Sequence, residues 1–156
     1  MKEARAMHRN AVLLQRLFVS LNGHDPHAMA ECYHPDARFQ DIAFDLQGKR
    51  EIAAMWKMIC RGDIRAKFHV LHADDQGGLV KVVDEYTFSD TGREVFNPIE
   101  SRFEFRDGLI ATHVDTCDPV IWAAMAIGGF RGFLAGEFRA LRAWKARKKL
   151  EPFLKE

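Results

Sequence analysis

The sequence predicts an α+β fold: helices packed on one face of a curved, mostly antiparallel sheet, with a helical extension at the C-terminus. Three observations predict it. Apolar residues recur at a helical period through most of the first 61 positions, the period falls to two from residue 65, and helical spacing returns after residue 118. The 156 residues, 47% hydrophobic and 29% charged, suit one core. The expected organisation is a single domain over 1–156, with 130–156 as a basic amphipathic helix.

Each element has its own signal. Met7, Ala11, Leu14, Leu17, Phe18 and Leu21 mark an amphipathic helix over 4–22, closed by Gly23. Asp25-Pro26 pairs an N-cap with a proline at the first helical position, which predicts a short second helix to about Cys32. Residues 37–44 (ARFQDIAF) read as a strand, and 49–61 return to helical spacing through Ile52, Met55, Trp56 and Ile59. Four period-two runs follow: 67–73, 79–89, 94–105 and 109–117. The Gly- and Asp-containing connections DDQGG, SDTG and RDG suit tight antiparallel turns. Pro98 predicts an edge position or a bulge, because proline cannot donate to the ladder. Asp118-Pro119 repeats the helix-start signal, Gly128-Gly129 breaks that helix, and a last helix is expected with Leu134, Phe138, Leu141 and Trp144 on its buried side.

Composition excludes several classes. Every long apolar run is interrupted by charge, short of the roughly 20 residues a membrane helix needs, and the N-terminus carries charges where a signal peptide needs an apolar core. A cytoplasmic protein without stable membrane association is expected. The net charge of +1 argues against a dedicated nucleic-acid partner, although 130–156 hold a net +5. Three cysteines without a CxxC pair suit reduced thiols. No metal site and no cofactor are expected, since the histidines fall into no ligand spacing.

A sheet curled around helices encloses a cone-shaped interior lined by one parity of each strand. On the strand over 94–105, Phe96, Glu100, Arg102 and Glu104 look solvent-facing, which turns Asn97, Ser101 and Phe103 inward. On the last strand the pattern leaves two options open. Either Ile110 and Val114 face the core, or His113, Asp115 and Cys117 do. In the second case a carboxylate sits in an apolar cavity beside an imidazole, an arrangement suited to proton transfer.

The segments FQDIAFDLQG, IAAMWKMICR, DEYTFSDTGREVFN and FEFRDGLIATHVDTCDPVIWAAMAIGGFRGFLAG resemble, in order and spacing, the SnoaL-like branch of the nuclear transport factor 2-like superfamily, from about Leu13 to Phe153. The resemblance implies an α+β cone with a hydrophobic pocket inside, in a homodimer packed through the open face of the sheet. Its members include ketosteroid isomerases, polyketide cyclases, dehydratases, epoxide hydrolases and non-enzymatic binding proteins. His113, Asp115 and Asp118 match the family's H-x-D-x-x-D pattern, with Cys117 where an aromatic is commoner, and Asn97, Tyr86 and Asp41 match other family positions. Ile42, Val82 and an extra acid, Asp84, depart from it and imply a wider or more acidic pocket.

The expected function is cofactor-independent isomerisation, dehydration or cyclisation of a small hydrophobic molecule. Asp115 is the expected base, His113 its partner, and Asn97 or Tyr86 a donor to a ligand oxygen. Asp41 binds substrate or caps a turn, Asp118 caps a helix, and Trp56, Phe103 and Trp122 form the wall. A nucleophilic Cys117 is disfavoured for want of a basic neighbour. The alternative is a ligand-binding or dimerisation module without turnover.

Overall fold

The computed structural model describes residues 6–156, apart from the side chains at positions 133, 135 and 136. Helix α1 (Arg9–Asn22) buries Leu14, Leu17, Phe18 and Leu21, the stripe its period predicts. It begins later than expected: the His8 imidazole accepts the Asn10 amide as an N-cap, residues 6–8 precede the helix, and residues 1–5 lie outside the described residues. Asp25 caps α2 (Pro26–Glu31) by accepting the Ala28 amide. The chain then forms β1 (Tyr33–Gln40), β2 (Asp45–Gln47), α3 (Lys49–Cys60), β3 (Arg65–Ala73), β4 (Gly78–Phe88), β5 (Arg93–Arg106) and β6 (Leu109–Thr116). The strand order is β2-β1-β6-β5-β4-β3, and β1 pairs parallel to β6 while the other pairs are antiparallel. The sheet therefore has six strands rather than five. The segment expected as one strand over 37–44 is a longer β1 that turns at Asp41 into the short β2.

Helices α1 and α3 fill the concave face. Leu14, Leu17, Ile52 and Met55 meet Phe39, Val80, Val82 and Phe103 in one core. The approach is close enough that Gly78 admits no side chain, because a Cβ there would lie 2.8 Å from Leu14 Cδ1 and 3.2 Å from Phe105 Cζ.

Pro98 lies in a strand with neighbours on both sides, yet its position is a local edge. It pairs with Val83 of β4 in unbroken register, whereas β6 pairs with β5 only from Glu100 onward. The missing N–H is tolerated because the β5–β6 ladder does not extend to that position. The irregularity falls elsewhere. Between β5 and β6 the register shifts at Glu104/Phe105, so Phe105 pairs with Ile110 and Glu104 with Thr112. That shift puts Ile110 and His113 on the same side, both buried, although they differ in parity.

The C-terminal segment departs from expectation in a useful way. After α4 (Pro119–Ala126), capped by Asp118 at the Val120 and Ile121 amides, Gly128 and Gly129 take left-handed φ values of 73° and 60° and break the chain. The remainder is two helices, α5 (Gly129–Glu137) and α6 (Arg139–Leu154), rather than one. Phe138, Leu141 and Trp144, expected to be buried, are exposed, Trp144 at 60%. The inward face is Arg142, Ala146, Leu150 and Phe153, on a different side of the helix. Tail charges of both signs meet the body: Arg147 pairs with Glu51 and Lys149 with Asp90, while the tail's own Glu156 accepts from Lys57 and Arg61. Such exposed pairs contribute about 0–1 kcal/mol each, so the fully buried Leu150 dominates the docking of α6.

Leu150→Ala is therefore expected to cost about 2–5 kcal/mol, and Trp144→Ala to stay within about 0.5 kcal/mol of wild type, both read from urea unfolding curves.

Candidate functional site

The concave face gathers the polar residues that the apolar pattern leaves inside. On β4 the residues Val80, Val82, Asp84 and Tyr86 share this face, and in register β5 sets Ser101, Ile99, Asn97 and Val95 opposite them. Ser101 pairs onward with Asp115 of β6, and Phe103 with His113. Both His113 and Asp115 thus face inward, the second of the two options.

Hydrogen bonds tie these residues into one chain. Trp56 Nε1 donates to Tyr33 Oη at 3.2 Å, Tyr33 Oη meets His113 Nδ1 at 2.8 Å, and His113 Nε2 meets Asp115 Oδ1 at 2.7 Å. Ser101 Oγ donates to the same Asp115 oxygen. An indole N–H only donates, so the Tyr33 oxygen is the acceptor there, and we assign its own proton to the bond with Nδ1. The imidazole proton then lies on Nε2 and points at Asp115. Burial holds the Tyr33 hydroxyl well above its usual pKa, which keeps that proton in place. His113 is 1% exposed, enclosed by the rings of Phe39 and Phe103 at 4.8 and 4.3 Å between centroids. It is closed off from solvent and meets Asp115 from within the core. The Asp115 side chain, 16% exposed, is the open end of the chain, and both bonds it receives fall on Oδ1.

Two more acids share this interior. Asp41 caps the β1–β2 turn, accepting the Ala43 and Phe44 amides at 2.7 and 2.6 Å. Burial, partly offset by those amides, pushes its carboxyl up to about 6. Asp84 is pushed up to about 8, first by burial and then by the charges of Asp115 and Asp41, and its buried Oδ1 has no partner among the described residues. Leaving such an oxygen unpaired costs about 1–3 kcal/mol.

The remaining predicted residues take supporting places. Tyr86 Oη accepts Trp122 Nε1 at 2.7 Å, and burial pushes the phenol up to about 12. Asn97 is buried, and the Cys117 thiol near it is raised by burial, the opposite of an activated nucleophile. Trp56 and Phe103 are core walls. Tyr33 and Arg142 escaped the sequence reading, and Asp84 entered it only as an extra acid in the pocket. Tyr33 carries no periodic signal, because it stands at the junction of α2 and β1. Asp84 was legible, since it shares the parity of Tyr86 and Val82. Arg142 is brought in by α6 from 100 residues away, donates from Nε to the Ile42 carbonyl at 3.1 Å, and sets its charge near Asp41 and Cys117. Among the described residues no three His, Cys, Asp or Glu side chains are placed to hold a metal ion.

Comparison with known families agrees with this geometry. The model of the SnoaL-like domain matches residues 14–113. The chain belongs to the SnoaL-like family. Solved structures with the same fold include a candidate polyketide cyclase from a Silicibacter species, at 18% identity over 76% of this chain and 94% of that one, with a TM-score of 0.67. An LEH-like epoxide hydrolase from M. tuberculosis aligns at 18% identity over 83% and 92%, with a TM-score of 0.61. A nuclear transport factor 2-like protein of unknown function from Burkholderia pseudomallei aligns at 14% over 78% and 99%, with a TM-score of 0.69. A comparison with curated proteins finds no match. The SnoaL-like match ends at His113, so Asp115 lies just beyond it.

Two predictions follow the buried groups. Tyr33→Phe strands Trp56 Nε1 and His113 Nδ1 in an apolar shell, and a loss of about 1–3 kcal/mol is expected in chemical unfolding. The folded pKa values of Asp41 and Asp84 lie above the unfolded value of about 3.9. The folded state therefore holds protons that the unfolded state has released, and these acids lower stability as pH rises from about 4 to about 8. Asp84→Asn is expected to raise the urea midpoint more at pH 8 than at pH 5.

Proposed function

We propose that this SnoaL-like protein catalyses cofactor-independent proton transfer on a small, largely apolar molecule held on the concave face of the sheet, as an isomerase, dehydratase or cyclase. The observation that carries this reading is the directed hydrogen-bond chain ending on Asp115. Ser101 and His113 fix one carboxylate oxygen, which aims the other. Cyclisation by carbon–carbon bond formation requires removal of a C–H proton, and epoxide opening requires a base for water. The activities in the names of the polyketide cyclase and epoxide hydrolase neighbours are thus within reach of one well-held carboxylate.

A second reading, a binding module without turnover, is favoured by one feature: Asp115 is already doubly bonded from within the protein. We also propose a homodimer through the outer face of the sheet. That face carries a hollow of about 530 Å³ lined by Lys67, Lys81, Val83, Pro98 and Thr116, with Phe96 exposed along the same strand.

The catalytic reading is checked by deuterium incorporation from D2O into a panel of cyclic ketones and diketones, followed by mass spectrometry. Exchange above the buffer background is expected, falling about 100-fold or more in Asp115→Asn. Absence of exchange across the panel selects the binding module. Sedimentation velocity is expected to give twice the chain mass, and a monomer contradicts the dimer.

A further inference from the structure

Two features of the C-terminal helices have no use inside the molecule. The first is apolar. Phe138, Leu141 and Trp144 stand outward at the head of α6, exposed at 57%, 39% and 60%, and Phe130 at the start of α5 is exposed at 74%. Single apolar side chains on a surface need no explanation, but two aromatic rings and a leucine along one short stretch form a patch. Docking of α6 does not cover it. The helix is seated through Arg142, Ala146, Leu150 and Phe153, so the patch stays bare with α6 in place.

The second feature is charge. Residues 130–156 hold eight Lys and Arg against three Glu. The body takes up part of this: Arg147 meets Glu51, Lys149 meets Asp90, Arg142 is buried at the Ile42 carbonyl, and Glu156 receives Lys57 and Arg61. What remains outward is Arg131, Arg139, Lys145, Lys148 and Lys155, five exposed cations against the two exposed acids Glu137 and Glu151, a net of +3. Lys148 pairs with Glu151 at 3.9 Å and also lies 6.0 Å from the centre of the Trp144 ring. Aromatic ridge and uncompensated cations therefore share one stretch of helix.

We infer that this face is a docking surface for an anionic lipid bilayer, with α6 lying along the headgroups, its aromatic ridge entering the acyl boundary and the flanking cations meeting lipid phosphates. Among the described residues no helix is long and apolar enough to cross a membrane, but a helix lying on one needs only an apolar stripe with cations beside it. The expectation of no stable association thus narrows to reversible docking. Indole and phenyl rings suit the boundary between headgroup and hydrocarbon, and lysine stems lie along apolar surface while the charge stays in water. A second copy of the chain fits this face less well. A two-fold axis through it would set cations against cations, and a ridge of three side chains is small beside the roughly 800 Å² per partner of a standard protein interface. The inference is independent of the proton-transfer reading, since it uses only exposed residues of the tail.

The test uses the full chain and unilamellar vesicles, of phosphatidylcholine alone or with about one third phosphatidylglycerol, read by co-sedimentation and by tryptophan fluorescence. Wild type is expected to partition about tenfold or more better onto the anionic vesicles than onto the neutral ones, with salt at about 0.5 M removing most of the difference. Trp144→Ala and Lys145→Glu are each expected to weaken binding about tenfold. Val19→Ser removes a similarly exposed apolar side chain from α1 and is expected to leave binding unchanged. Wild-type emission is expected to shift to the blue on binding, and Trp144→Phe to bind with that shift lost. The inference is overturned if wild type ignores the anionic vesicles, if Trp144→Ala or Lys145→Glu binds as wild type does, or if Val19→Ser loses as much. Two other results overturn it by naming a different occupant. A lower mass for Trp144→Ala in sedimentation velocity would assign the ridge to a second copy, and Trp144-dependent binding to polyglutamate in place of vesicles would assign it to an acidic protein.

Discussion

The hydrogen-bond chain from Trp56 to Asp115 is the constraint around which the interior is arranged. Its members come from α3, β1, β6 and β5, so it forms only when helix and sheet are both in place. Each internal link is buried among rings, where a lost partner costs more than a made bond contributes. That asymmetry ties the rotamers of Trp56, Tyr33 and His113 to one another. It also passes the orientation set by a donor-only indole through two rings to a single carboxylate oxygen. Stability and the aim of Asp115 thus depend on the same bonds.

The second organising feature is an excess of acid inside an apolar wall. Asp41, Asp84 and Asp115 act on one another through their charges, and Arg142 lies toward Asp41 and Cys117 rather than Asp84. Burial and mutual repulsion push in the same direction, and the protein answers differently at each site. Two turn amides hold Asp41, and a serine and a histidine hold Asp115. At Asp84 neutralisation takes the place of pairing. On the surface, Glu51 and Asp90 meet Arg147 and Lys149 of the tail, and Glu156 meets Lys57 and Arg61, while the interior acids stay apart from these pairs.

Most of the architecture was legible from periodicity. The α1 stripe, the caps at Asp25 and Asp118, the four consecutive strands and the sidedness of β5 all follow from local pattern, because each is decided by neighbours in sequence. What was not legible depends on distant pairing. Ile110 made the face of β6 ambiguous until the register shift at Glu104/Phe105 set it beside His113. In α6 two apolar stripes competed, and the docking of Leu150, not the larger Phe138 and Trp144, decided which is inside. The site divided the same way. Asn97 and Ser101 fell to strand parity, His113 and Asp115 were settled by the register of β6, and Tyr33 and Arg142 reach the interior only through the parallel β1–β6 pairing and the return of the C-terminal helix.

The central claim is that this chain runs in one direction, from an indole donor to an aspartate acceptor. Nitrogen-15 NMR of the His113 ring at neutral pH tests it most directly, with His113→Gln used to assign the signals. The account predicts a proton on Nε2 and a bare, accepting Nδ1, with Tyr33→Phe changing the Nδ1 signal. A proton on Nδ1 with Nε2 bare would mean that the chain runs the other way, and would contradict the aimed carboxylate on which the functional reading depends.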